Sequence, residues 1–259
     1  MSPTAEAIRD RLNGDWVRVI AVLHYGGVMT VTILERTLYD EQLAAVLLGV
    51  SPSTLHWWLE GRKQGSKVYA PVLRAEPTGS REVTWGEFVE ARFLREYRRT
   101  LEVPLPSIRA FVGYLRENLN TRYPLATARP WVGAGRRLLI EAQASTELPA
   151  DLWAAYEPHS GQALLTAPAQ SYLERVEFET EGGEAVIRVY PDGKDSPVII
   201  DPEVRFGSPS VSGIPTESLS ELVRAGDSIE MVSDDFDLPL GTVIAALRYE
   251  DRSLGNQAA

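Results

Sequence analysis

Apolar positions between Tyr39 and Leu59 change their spacing twice, and each change coincides with a turn signal. Leu43, Ala44, Val46 and Leu47 recur at helical intervals behind Asp40 and Glu41, acids that the positive end of a helix dipole favours. Gly49 is expected to end that helix, because glycine takes the left-handed conformation of a C-terminal cap at no steric cost. Val50 then turns inward, Ser51 caps a second helix, and Pro52 occupies its first position, where a missing N–H costs nothing. Leu55 and either Trp58 or Leu59 face back on the first helix. This pattern predicts a helix-turn-helix, whose second helix offers Ser53, Thr54, His56 and Trp57 to a DNA groove. The plainer alternative is a helical hairpin that buries its own stripe.

Downstream, Gly61 to Lys67 is a polar basic loop in which Arg62, Lys63 and Lys67 are placed to touch phosphates. Val68 to Arg74 has strand character and Glu76 to Ser80 reads as a turn, so the helix pair gains a wing. Thr84 and Glu87 form a capping box at the head of a helix from Trp85 to Thr100. That helix buries Phe88, Val89, Tyr97 and either Phe93 or Leu94, and carries Arg92, Arg95, Arg98 and Arg99 on its remaining surface. Val103 to Pro106 breaks it, and Ser107 is expected to cap a further helix ending near Asn120.

A different regime begins at Leu138. Leu152 to Tyr156 reads as a short helix and Leu164–Leu165 as a loop or short strand. Val176 to Thr180 and Ala185 to Tyr190 alternate as two strands about Gly182–Gly183, and a third follows at Val198 to Ile200. Thr216 caps a helix closed by Gly226, Ser228 caps the next, and Pro239 to Tyr249 forms the last. The expected fold class is α+β. The division is residues 1–38 as an arm, 39–137 as a winged helix, 138–197 as a linker and β-hairpin, 198–252 as a three-helix unit, and 253–259 as a frayed tail. Met29 is an alternative start, which would make residues 1–28 a non-native extension.

Composition narrows the function. The 259 residues contain no cysteine, which removes disulfides, thiolate chemistry and zinc fingers. The run from Trp16 to Ile33 is broken by Arg18, His24 and Gly26–Gly27, so no membrane span is expected and the chain reads as cytoplasmic. Formal net charge is −10, distributed unevenly. Residues 39–137 hold 15 Lys/Arg against 10 Asp/Glu, whereas residues 138–259 hold 7 against 22. A basic front half suits nucleic acid and an acidic rear half suits a basic partner. The histidines His24, His56 and His159 have no metal-ligand spacing, and no phosphate-binding glycine motif occurs. Asp234–Asp235 is best read as a solvated helix end. Neither an enzyme nor a cofactor or metal site is expected.

Two modules resemble known families. Leu47-Leu-Gly-Val-Ser-Pro-Ser-Thr-Leu55 and the helix from Trp85 to Tyr97 resemble a MerR-like winged helix. Residues 198–250 resemble the small antitoxin domain that accompanies PIN-like ribonuclease toxins, through Asp201-Pro202, Phe206-Gly207-Ser-Pro209, Val211, Gly213-Ile-Pro-Thr216, Ala225 to Ile229, Asp235-Phe236 and Val243. The order is that of longer VapB-type antitoxins. The resemblance implies a DNA-binding antitoxin that neutralises a PIN-like toxin and represses its own operon, with Arg205, Phe206, Ile214, Ile229, Asp234, Asp235 and Phe236 as toxin-facing residues. A homodimer on operator DNA is expected, since such proteins usually read two half-sites. In this chain His56 and Trp57 stand where relatives often carry arginines. The rival reading is a one-component transcriptional regulator with a small-molecule pocket in its C-terminal domain.

Overall fold

A computed structural model describes residues 32–100, 102–131, 135–146, 148, 152–156, 162–179 and 184–257. The expectations for residues 1–31, including the alternative start, and for Gly182–Gly183 lie outside the described residues. The chain is α+β, with helices interleaved by short antiparallel strand pairs.

Strand β1 (Thr37–Asp40) runs into α1 (Glu41–Leu48), and the capping chemistry is as the sequence requires. Asp40 Oδ1 accepts from Leu43 N at 2.7 Å, and Gly49 ends the helix at φ 62°. Ser51 Oγ accepts from Thr54 N at 3.1 Å at the head of α2 (Pro52–Glu60). A short hairpin follows, β2 (Arg62–Gln64) against β3 (Lys67–Tyr69). The strand ends there, before Val72, contrary to the expected run to Arg74. Pro71 has no N–H to give a ladder, and the amides of Val72 and Leu73 both donate to Trp58 O. Strand β4 (Glu82–Thr84) instead pairs with β1, closing the helix pair and hairpin into one excursion.

The capping box at the head of α3 (Trp85–Thr100) is reciprocal: Glu87 N donates to Thr84 Oγ1 at 3.2 Å and Thr84 N to Glu87 Oε2 at 3.0 Å. Helix α4 (Leu105–Leu119) begins two residues before Ser107, because Pro104 holds the extended cap conformation and Pro106 lies in the first turn. Asn120 caps its end at φ 48°.

Helix α5 (Gly135–Ser145) is followed by β5 (Ala154–Tyr156) and β6 (Ala163–Leu165), which pair antiparallel. The expected helix at Leu152 to Tyr156 is therefore a strand. The buried Gln143 side chain accepts from Trp153 N and Ala154 N and donates to Ala154 O, so these amides are bound across the chain rather than along it. Tertiary pairing overrides a weak local helix preference. Helix α6 (Ala167–Leu173) then leads to the pair β7 (Val176–Phe178) and β8 (Val186–Val189).

One core extends from Leu34 to Ile200. At its centre the Phe93 ring lies 4.3 Å from Tyr97, 4.9 Å from Tyr172 and 5.6 Å from Trp131, while Phe111 stacks on Trp153 at 3.7 Å. Residues 138–197 thus share the core of α3 and α4 through Trp153, Tyr172, Val176 and Val186.

A second core lies in Val198, Val211, Leu219, Val232, Val243 and Ala246. It is built from β9 (Ser210–Val211), β10 (Ile214–Pro215), α7 (Thr216–Ala225), α8 (Ile229–Asp235) and α9 (Leu240–Gln257). Ser228 caps α8 by accepting from Met231 N at 3.1 Å. Thr216 is the first residue of α7 rather than its cap; its hydroxyl reaches Pro209 O and the Glu250 carboxyl. Helix α9 continues past Tyr249 to Gln257, into residues expected to fray.

Candidate nucleic-acid interface

The outward face of α2 is set by what its inward face buries. Leu55, Trp58 and Leu59 are in the core, so Ser53 and Trp57 are exposed and Thr54 and His56 are half-buried at its edges. Ser51 Oγ lies 3.0 Å from Ser53 Oγ and 2.8 Å from Thr54 Oγ1, which ties both hydroxyls to the cap. His56 Nδ1 is 2.9 Å from Oε1 of the buried Glu41, and Arg81 holds the other carboxylate oxygen at 3.1 Å. The His56 ring is thereby oriented by α1. Trp57 lies beneath the Arg62 guanidinium, 4.4 Å from ring centroid to Cζ.

Gly61 makes the corner between α2 and the hairpin. Its φ is 76°, and a Cβ there would stand 2.3 Å from Tyr69 O, so a side chain has neither the backbone nor the space. From that corner Arg62, Lys63 and Lys67 run along the hairpin, with Lys63 and Lys67 exposed. All seven residues expected to face DNA therefore belong to two consecutive elements, α2 and the hairpin.

A buried arginine fixes this corner to the rest of the fold. Arg74 donates Nε to Glu87 Oε1 at 2.8 Å and Nη2 to Glu87 Oε2 at 3.2 Å and to Glu82 O at 2.7 Å. Its Nη1 reaches Ser80 O at 2.9 Å, Thr78 Oγ1 at 2.7 Å and the Glu60 carboxyl. Glu60 Oε2 also accepts from Thr78 N and Gly79 N at 2.8 and 2.7 Å. Burial alone would raise the Glu60 carboxyl. The hydrogen bonds from Gly79, Thr78 and Arg74 outweigh it and hold the group below the ordinary value.

Helix α3 adds three cations that the sequence alone does not place beside α2. Arg95, Arg98 and Arg99 line an open cleft of about 390 Å³ whose other wall is Gly49, Val50 and Thr54. Their spacing of three and four residues puts them on one side of α3, a signal visible in the chain but without a direction until α1 and α2 are docked. Burial lowers the Arg95 guanidinium, and neighbouring Arg99 lowers it further. On the other flank of α2, Trp57, Arg62 and Tyr69 face Leu105, Pro106 and Arg109 across a second cleft.

The residues expected to meet a toxin divide into two kinds. Arg205, Phe206, Asp234 and Asp235 are exposed, and Phe206 is 77% exposed. Ile214, Ile229 and Phe236 are half-buried against the second core. Arg205 and Phe206 both adopt left-handed backbone, at φ 49° and 55°, and Arg205 Nε donates to Gly213 O at 3.2 Å. Such a conformation is costly for residues with side chains and is retained only where the surroundings impose it. Among the described residues no group of three His, Cys, Asp or Glu could hold a metal, and no helix is long and apolar enough to cross a membrane.

Comparison with known proteins gives the following matches. Residues 198–249 match a family described as a protein of unknown function, DUF433, over the second core. The uncharacterized protein Rv2308 of Mycobacterium tuberculosis is 34% identical over 225 residues, covering 85% of this chain and 93% of the relative. The crystal structure of Rv2018 from the same organism superposes with a TM-score of 0.65 at 24% identity, over 82% of this chain and 98% of that one. The last match shows a shared fold.

Proposed function

This chain belongs to the family of the mycobacterial protein Rv2308, and within that family we propose that it is a DNA-binding antitoxin with a MerR-like winged helix-turn-helix. On this reading it binds operator DNA as a cytoplasmic homodimer, represses its own operon, and neutralises a PIN-like ribonuclease toxin through the C-terminal unit. The observation that carries the reading is a local surplus of unneutralised positive charge in a chain of net charge −10. Arg62, Lys63 and Lys67 on the hairpin and Arg98 and Arg99 on α3 flank the outward face of α2, and among the described residues none of the five is paired with a carboxylate. Charge left free along a groove-sized helix is what phosphate contacts require. For the toxin arm, support comes from the acidic C-terminal unit with its own apolar core, matched by the DUF433 family, and from Phe206, held outward on left-handed backbone.

Fluorescence anisotropy with a duplex from upstream of the protein's own gene tests the DNA arm. Preference for that duplex over a shuffled one is expected, with affinity for both lowered in Lys63→Ala with Lys67→Ala. Equal affinity for both duplexes would sink it. Co-expression with a PIN-like protein encoded beside the gene tests the toxin arm. Growth rescue that disappears in Phe206→Asp is expected, and unchanged rescue would remove Phe206 from the contact.

A further inference from the structure

We propose that the cleft between α2, the hairpin and the first turn of α4 binds a small planar aromatic anion. Its volume is about 200 Å³. That is below the ~300–1,000 Å³ of drug-sized sites, and fits one ring or two fused rings. Trp57 and Tyr69 line the cleft and remain 40% and 38% exposed, with Leu105 and Pro106 on the opposite side. Arg62 and Tyr69 are a cross-strand pair, so the aromatic ring and the guanidinium share one face of the hairpin.

The charge is uncompensated. Arg62 lies over Trp57 and has no carboxylate partner among the described residues. Arg109 donates Nε to Pro71 O at 3.1 Å, which fixes its fork without neutralising it. Burial lowers the Arg109 guanidinium, as expected for a cation with no anion beside it among the described residues. Two pre-oriented guanidinium groups on an aromatic and aliphatic lining suit a ligand with a flat apolar body and one anionic group. A bare phosphodiester would leave the Leu105 and Pro106 surface wet, so a ring-bearing anion fits the lining better.

The ligand would therefore act on the front of the molecule, not in the C-terminal unit where the regulator alternative expects its pocket. Its consequence rests on the DNA-binding reading: an occupant beneath Arg62 and beside Trp57 competes with operator DNA for both side chains.

The test is calorimetric titration of the full chain, without DNA, using salicylate, indole-3-acetate and AMP. Each is paired with its uncharged counterpart, salicylamide, indole-3-acetamide and adenosine. At least one anion is expected to bind at one per chain, its neutral counterpart roughly tenfold weaker. Arg62→Gln should lower the anion's affinity by a similar factor, Arg62→Lys should restore part of it, and Arg175→Gln, a cation outside the cleft, should change nothing. AMP as the strongest ligand would identify a nucleotide source, and either acid a free aromatic one. No binding by any anion, equal binding of anion and neutral partner, or an unaffected Arg62→Gln with native melting temperature would overturn the site. Anion binding in a protein that fails to bind operator would defeat the DNA reading and leave this one standing.

Discussion

The Tyr39 hydroxyl donates to the carbonyl oxygen of Gly207 at 2.8 Å, joining residues 168 positions apart. Tyr39 belongs to β1, immediately before the Asp40 cap of α1, and its ring packs 4.8 Å from Phe88 of α3. Gly207 follows Phe206 in the loop ahead of β9. The contact thus ties the presentation of Phe206 to the base of the helix pair. Burial raises the Tyr39 phenol far above its ordinary value, so it stays a donor at any physiological pH.

Gly207 cannot carry a side chain while that hydroxyl is in place. A Cβ would stand 2.2 Å from Tyr39 Oη, and φ is 77°. Gly207→Ala is expected to cost about 2 kcal/mol or more, from the clash and the left-handed backbone together. Tyr39→Phe should cost about 1 kcal/mol, one buried hydrogen bond. The double variant removes the clashing oxygen, so its cost should be clearly less than the sum, as urea denaturation of the four proteins would show. Additive costs would mean that the two residues do not touch in solution.

Arg74 should be among the most sensitive single positions in the front half. It is 5% exposed and binds the buried Glu87, the half-buried Glu60 and two backbone carbonyls. Burial opposes its charge, but Glu87 and Glu60 outweigh that and raise the guanidinium above its ordinary value. Arg74→Met is expected to destabilise by about 3–5 kcal/mol, because half-buried Glu60 would lose its cation and buried Glu87 would keep only Arg122, at 3.6 Å. Arg74→Lys should recover little, since an ammonium cannot reproduce the fork. Adding Glu60→Gln and Glu87→Gln to Arg74→Met should return part of the loss. A cost below about 1 kcal/mol for Arg74→Met would show that the corner does not depend on it.

The parts legible in the sequence were those with local physical causes. Gly49, Ser51–Pro52, Thr84 with Glu87, Ser228 and Gly226 each announce a helix end through chemistry within four residues, and each end is found there. The misreadings have non-local causes. No property of Leu152 to Tyr156 reveals that Gln143 will take its amides, and nothing around Val72 reveals that Trp58 O will accept two N–H groups. The candidate site divides the same way. Ser53, Trp57, Arg62 and Lys63 were legible because they follow a recognisable turn. Arg95, Arg99, Tyr69 and Arg109 were not, because only docking of α3, α4 and the hairpin around α2 brings them to its flanks.

Glu90 gives the fold a pH dependence of known sign. The group is fully buried on α3, and burial raises its carboxyl to about 8, against the opposing effects of Arg116 and of the hydrogen bond from Leu125 N. Below the unfolded value of 4.5 both states are protonated and the protein keeps its full stability from this group. As pH rises from there the unfolded carboxyl ionises first, so stability falls until the folded carboxyl ionises near 8. Glu90→Gln keeps an acceptor for Leu125 N and removes the titration. It should be more stable than the parent at pH 8, by something on the order of 1–3 kcal/mol, with the advantage vanishing towards pH 4. Thermal melts at these two pH values decide it; an advantage independent of pH would mean that Glu90 is ionised throughout in the folded protein.

Arg98 and Arg99 separate a cationic groove from a merely solvated helix end. Both are exposed on α3, both face the cleft beside Thr54, and neither has a carboxylate partner among the described residues. If they neutralise DNA phosphates, each releases about one counterion, and removing one should reduce the slope of log affinity against log salt by roughly 0.9. Arg98→Ala and Arg99→Ala should therefore weaken operator and shuffled duplex alike, without changing the preference between them. Trp57→Leu, on the outward face of α2, should narrow that preference and leave the slope unchanged. The opposite pattern, a changed preference from the arginines and a changed slope from Trp57, would reverse the roles assigned to the two surfaces. Anisotropy titrations at three or more salt concentrations are sufficient.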